Sequence, residues 1–181
     1  MAHIEFLADA EQYADDIREL LVLTDEEFHP PLSGRDGPTQ TSDLDRERND
    51  AIDDYLDEMM AQPFLLALDD DRVVGVLAFR HGYEADALGD FVPSNYASTL
   101  VVHPDHRRRG YARRMYDRLL ADLPPAYRSQ YVTTRTWSEN ETHQPLLDDL
   151  GFQRIRTIEN DRGEGVHTVY YGIDIAEYDS D

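Results

Sequence analysis

At 181 residues, with 40% hydrophobic and 10% aromatic side chains, the chain can bury about 70% of its unfolded surface as one domain spanning 1–181. Thirty-eight Asp and Glu oppose seventeen basic residues, giving a net charge of −21, and every basic residue is arginine. The absence of cysteine excludes thiol nucleophiles, disulfides and thiolate metal sites, and the absence of lysine excludes a lysine-bearing phosphate loop, a pyridoxal Schiff base and a lysine base.

So acidic a surface repels itself in dilute buffer and suits a salt-rich, halophilic cytoplasm. No apolar run approaches ~18 residues, and Met1-Ala2-His3-Ile4-Glu5 lacks the basic and apolar regions of a signal peptide, so no membrane span is expected and a cytoplasmic location is.

In chain order, Ile4–Leu7 reads as a strand, and Asp9 caps a helix with Tyr13, Ala14, Ile17, Leu20 and Leu21 on one face. Breakers between His29 and Ser42 mark a loop. A second helix presents Ile52, Tyr55, Leu56, Met59 and Met60, and its acids from Asp43 to Glu58 form a solvated face. Phe64–Leu68 and Val73–Phe79 are strands joined by the turn Asp69-Asp70-Asp71. The stretch from His81 to Pro93 reads as irregular, and Tyr96–Val102 is the next strand.

Between Arg107 and Arg118 lie six arginines and one acid, Asp117, a local charge of +5 against −26 for the remainder. The strand ends at Pro104, and an amphipathic helix carrying Ala112, Met115, Tyr116, Leu119 and Leu120 follows, ending by Leu123 before Pro124-Pro125. A strand that turns through an arginine-glycine loop into a helix start offers unpaired N–H groups at a positive dipole end, a site for a polyphosphate. Nucleic acid, the other polyanion to consider, is not expected, because the rest of a −21 surface repels it. Tyr131–Trp137 alternates as a strand, Asn140–Leu150 is a helix stopped by Gly151, and Gln153–Ile158 and Val166–Ile175 are the last strands. The turn between them, Asn160 to Gly165, is either a plain hairpin or part of an acceptor pocket.

The segment Val102 to Ala112, with Arg107-x-x-Gly110-x-Ala112 between strand and helix, resembles the acetyl-coenzyme A signature of the GNAT acetyltransferase superfamily. Asn140, followed eleven residues later by Gly151-Phe152, resembles its second coenzyme segment. The resemblance implies an α/β fold of the α+β type, with a central mixed sheet of about seven strands and about four helices. It implies an N-acetyltransferase that uses acetyl-coenzyme A as cosubstrate, needs no metal, and passes acetyl directly to a small-molecule or peptide amine. A homodimer stays open, and no membrane or nucleic-acid partner is expected.

Gly110 lets the backbone approach a pyrophosphate, reached by N–H groups of Arg108, Arg109, Gly110, Tyr111 and Ala112. Arg107 belongs to the same motif, and the side chain of Arg109 or Arg113 reaches the ribose phosphate, whereas Arg114 and Arg118 pair with the surface. By resemblance, main-chain groups of Leu100, Val101 and Val102 hold the pantetheine arm, an N–H near Leu100 polarises the thioester, and Asn140 bonds the coenzyme while capping its helix.

One departure concerns proton transfer. Many family members place a tyrosine seven residues after the asparagine to protonate the departing thiolate, and here Leu147 stands there. The remaining candidates are Tyr170, Tyr171, Tyr111 and His143, with the strand pair preferred because one of two successive residues must face the cleft. A base is also missing from Tyr96–Val102, so Glu84, Asp90 or His81 is expected to act through water. His103 and His106 are read as loop histidines and Trp137 as core. The departures leave a second class open, a coenzyme A-binding sensor without transfer chemistry.

Overall fold

A computed structural model describes residues 2–28 and 44–178. The expected loop His29–Ser42, and Asp43 beside it, lie outside the described residues. The elements are β1 (His3–Leu7), α1 (Ala14–Thr24), α2 (Leu44–Met60), β2 (Phe64–Asp69), β3 (Arg72–Tyr83), β4 (Ser94–Val102), α3 (Tyr111–Ala121), β5 (Tyr131–Trp137), α4 (His143–Leu150), β6 (Gln153–Ile158) and β7 (Thr168–Asp174). The strands form one mixed sheet in the order β1-β2-β3-β4-β5-β7-β6. Every neighbouring pair is antiparallel except β4 and β5, which run parallel.

Both faces of this sheet are covered, and β2 and the Val73–Phe79 part of β3 are apolar on both sides rather than alternating with polar residues. In β2, Leu65 and Ala67 join Leu77, Phe79, Met115, Tyr116, Leu147 and Tyr171 on the α3–α4 face. Phe64, Leu66 and Leu68 join Ile17, Leu21, Ile52, Met59 and Val76 on the α1–α2 face. The hairpin between β2 and β3 turns on Asp70 (φ 49°) and Asp71 (φ 64°), and two successive positive φ values are what a tight two-residue hairpin turn requires.

Several boundaries differ from the sequence reading, β4 among them, which starts at Ser94 rather than Tyr96. The strand expected to stop at Phe79 continues to Tyr83, where Arg80 and Tyr83 still pair with Tyr96 and Ser94 and the Tyr83 ring stacks 4.6 Å from that of Tyr96. The helix expected from Asn140 starts at His143, because the Asn140 side chain caps it, Oδ1 accepting from the Thr142 and His143 N–H groups. The last strand is shorter than Val166–Ile175, because Val166 N–H turns back to Gly163 and Ile175 begins a 3₁₀ turn. A 3₁₀ turn, Glu11–Tyr13, precedes α1, and Asp9 accepts the Glu11 N–H.

Candidate active site

The parallel seam between β4 and β5 is short. It pairs Ser94–Ala97 with Tyr131–Thr134 and goes no further. Beyond it β4 stays paired on its outer edge with β3 as far as Val102 opposite Gly75, and β5 stays paired with β7 as far as Trp137 opposite Thr168. Each strand is held by its outer neighbour while their inner edges part, and a cleft of about 840 Å³ opens between them. That volume lies within the range of a site that encloses a large ligand.

At one end of the cleft is the arginine-glycine loop. His103 N–H anchors it to the Val74 carbonyl at 2.8 Å, Arg108 adopts φ 62°, and Gly110, at φ 80°, is the residue before α3. Consecutive changes of backbone handedness turn amide groups toward one side, a nest for an anion. Among the described residues none accepts the N–H groups of Arg108 to Arg113, and the first bond of the helix is Arg114 N–H to the Gly110 carbonyl at 2.9 Å. Arg107, Arg108, Gly110, Tyr111, Ala112 and Arg113 line the cleft and Arg109 does not. No carboxylate among the described residues pairs with Arg108, Arg109 or Arg113.

Arg107 has a partner that the sequence did not show. Its side chain is committed: Nε donates to the Val102 carbonyl at 3.2 Å, and its two terminal nitrogens grip both oxygens of Glu27. That carboxylate holds the Arg107 pKa above its ordinary value. Arg107 therefore ties the loop to the turn after α1 while also lining the cleft. Arg114 and Arg118 reach back to the Ala2 and Ile4 carbonyls. His106 lines the cleft with a buried Nδ1 that has no partner among the described residues. His103 Nδ1 accepts the Asp105 N–H. No group of three or more His, Asp or Glu among the described residues is placed to hold a metal.

Leu100, Val101 and Val102 line the cleft along the free edge of β4, with Asn140 and His143 on the opposite side. Asn140 Nδ2 donates to Thr136 Oγ1 at 3.0 Å. His143 is half-buried, with Nε2 2.8 Å from the hydroxyl of buried Tyr116. Desolvation pushes the His143 pKa down to about 4 and raises that of Tyr116, so both are neutral at pH 7.

The preferred strand tyrosines fall elsewhere. Tyr171 faces the α3–α4 core, fully buried, and its hydroxyl donates to Gln144 Oε1 at 3.1 Å. Tyr170 faces the other side, 3.4 Å from Arg135 Nη1, and neither tyrosine lines the cleft. Leu147 is core. Tyr111 lines the cleft, but its ring is 5% exposed as part of that core. Glu84, Asp90 and His81 also lie off the cleft, His81 Nδ1 being 2.8 Å from Asn95 Oδ1. Among the described residues the carboxylates on the wall are Glu27, Glu139 and Glu141.

On the α1–α2 face the cleft meets Arg135, Trp137, Phe28 and, from the Asn160–Gly165 turn, Arg162. Trp137 is thus a cleft residue and not core, its ring 6.5 Å from Phe28. Sequence reasoning passed over Arg135, although one exposed charge in the otherwise shielded run Tyr131–Trp137 was a usable signal.

A family model for GNAT acetyltransferases matches residues 17–152. The chain belongs to the GNAT acetyltransferase family. Its fold is that of an N-acetyltransferase from Staphylococcus aureus (14% identity, TM-score 0.64, covering 96% of this chain and 99% of that one). It is also that of an acetyltransferase from Thermus thermophilus (18%, 0.60, 94% and 96%). A Salmonella typhimurium protein solved with its cofactor acetyl-CoA is similar over 99% of this chain and 96% of its own, at 17% identity and TM-score 0.65. Among curated proteins no sequence matches. No helix among the described residues is long and apolar enough to cross a membrane.

Proposed function

We propose that the protein transfers the acetyl group of acetyl-coenzyme A to a primary amine within a ternary complex. The observation that carries this reading is the cleft itself, which runs from the unpaired amides before α3, along the free edge of β4, to the arginine- and tryptophan-lined end on the other face of the sheet.

The amides of Arg108 to Ala112 and the side chains of Arg108 and Arg113 hold the pyrophosphate, and Arg109, off the wall, is left for the outer phosphate. Main-chain groups of Leu100, Val101 and Val102 pair with the pantetheine arm, although the Val102 carbonyl already accepts from Arg107. Asn140 fixes the start of α4 and the wall beside that arm. The amine nitrogen attacks the thioester carbon. A C–N bond forms, the C–S bond breaks, and the electron pair leaves on sulfur, which takes a proton. A main-chain N–H near Leu100 stabilises the oxyanion. Glu27 is engaged by Arg107, which leaves Glu139 or Glu141 to receive the amine proton through water. Of the tyrosine and histidine candidates, Tyr111 and His143 line the cleft, and neutral His143, backed by Tyr116, is assigned a hydrogen bond to the departing sulfur, whose proton comes from water.

A second reading, a coenzyme-binding sensor, is favoured by one observation: Leu147 and Tyr171 are both sealed in the core, so neither supplies an acid to the cleft. Calorimetry with acetyl-coenzyme A, then free-thiol release with a panel of amines, separates the two. Binding with turnover supports the transferase, binding without turnover the sensor, and no binding removes both.

A further inference from the structure

The acceptor end of the cleft is positive in a protein that is otherwise strongly negative. We propose that the amine substrate carries a carboxylate, as an amino acid does, held by Arg135 with Arg162 beside it. The inference rests on the acetyl-transfer reading and names the substrate class of that same cleft.

Arg135 immediately follows Thr134, the last residue of β5 that pairs with β4. Continuing the register sets Arg135 level with Ser98 and Trp137 level with Leu100, so Arg135 lies two residues, or about 7 Å, from the level of the reacting thioester. That separation is filled by an amine attached within a few bonds of an anionic group. Arg135 gives one long hydrogen bond, 3.4 Å, to the Tyr170 hydroxyl, and a guanidinium has five N–H donors in a planar fork suited to a carboxylate. No carboxylate among the described residues lies within ion-pairing distance of it.

Arg162 approaches from the neighbouring turn, with Nε 3.0 Å from Thr168 Oγ1 and its guanidinium 5.8 Å from the centre of the Trp137 ring. The same Thr168 hydroxyl donates to Asp161, so Arg162 is engaged within its own turn and Arg135 is the principal carboxylate ligand. Two guanidiniums on one wall of a chain with 38 acids run against the surface trend and repel a polycationic acceptor. Beyond the end of β5, Glu139 and Glu141 give the cleft the opposite sign. With guanidiniums and carboxylates both on its wall, the cleft matches a molecule that is itself both cation and anion. Trp137 and Phe28 supply the apolar surface for its carbon skeleton.

The test uses the whole protein with acetyl-coenzyme A and compares amino acids with their carboxamides, which present the same amine without the negative charge, and with diamines. Free-thiol release should give kcat/KM about 10- to 100-fold higher for the carboxylates, the weight of one or two charge-assisted hydrogen bonds. Arg135→Gln should collapse that ratio toward one, through KM for the carboxylates. Carboxamides or diamines used as well as carboxylates by the unaltered protein would overturn the inference. So would a folded Arg135→Gln that keeps the ratio, or a protein that binds acetyl-coenzyme A yet turns over no carboxylate amine. If the variant fails to fold, the ratio measured on the unaltered protein still decides. Loss of acetyl-coenzyme A binding itself, read by calorimetry, brings down the transferase reading along with this one.

Discussion

Gly110 offers a perturbation in which fold and binding move in opposite directions. It sits at φ 80°, and a Cβ built there meets nothing within 4 Å. A side chain therefore costs only the strain of left-handed backbone, about 1 kcal/mol, or about 2–4 °C in Tm for a chain of this size. Gly110→Gln carries that strain and places neutral bulk in the proposed pyrophosphate site. Gly110→Glu adds a negative charge to nearly the same volume. At the residue before α3 that charge favours the fold by about 0.3–1 kcal/mol through the helix dipole, so the Glu variant should melt at or above the Gln variant. Toward the ligand the sign reverses. A carboxylate about 6 Å from one phosphate charge, at an effective dielectric of about 20–40, costs about 1.4–2.8 kcal/mol, a 10- to 100-fold weaker Kd than the Gln variant. Differential scanning calorimetry and titration with acetyl-coenzyme A read the two quantities separately. Equal affinity for the Gln and Glu variants, with both folded, would refute the placement of the pyrophosphate at this loop.

Gly172 is tight: an added Cβ would lie 2.6 Å from Ile155 Cδ1 and 2.8 Å from Phe91 Cδ1, so Gly172→Ala should lower Tm by about 2–12 °C in a thermal melt, and an unchanged Tm would mean that the ring yields freely. His143, with a folded pKa near 4 against 6.5 for the free residue, takes up a proton more readily unfolded; stability should therefore fall as pH drops from 6.5 toward 4, and comparing melts of the unaltered protein with His143→Gln should show a shallower fall in the variant. Tm should rise from low to molar potassium chloride, because screening relieves the repulsion of a −21 chain, and a flat profile would separate the acidity from salt.

Much of the architecture was legible because local signals agree with the fold. Tyr131–Trp137 has the bounds its alternation gives, Gly151 ends α4 at φ 93°, and the arginine-glycine run lies between β4 and α3. The partners across the chain were not legible. Arg107 reads as one member of the coenzyme motif, and nothing nearby in sequence shows that Glu27, eighty residues away, holds its side chain. Alternation says that Tyr170 and Tyr171 face opposite sides, but not that one side is closed core and that the other leaves Tyr170 off the cleft wall. Arg135 gains its position only from the strand order, in which β5 lies between β4 and β7.

The short seam makes this sheet two antiparallel ribbons, β1-β2-β3-β4 and β5-β7-β6, joined like the covers of a book along a four-residue spine. Side chains stitch that spine: Ser94 Oγ lies 2.7 Å from Thr133 Oγ1, Thr134 Oγ1 donates to the Ala97 carbonyl at 2.9 Å, and Asn95 Nδ2 to the Tyr127 carbonyl at 2.8 Å. All the backbone rungs between the two covers lie at one end, so small rotations about the spine become large changes in gap width at the far end. An extended molecule lying between the covers would add rungs where the chain has none and fix their angle. In that arrangement, occupancy and rigidity of the whole sheet are one equilibrium.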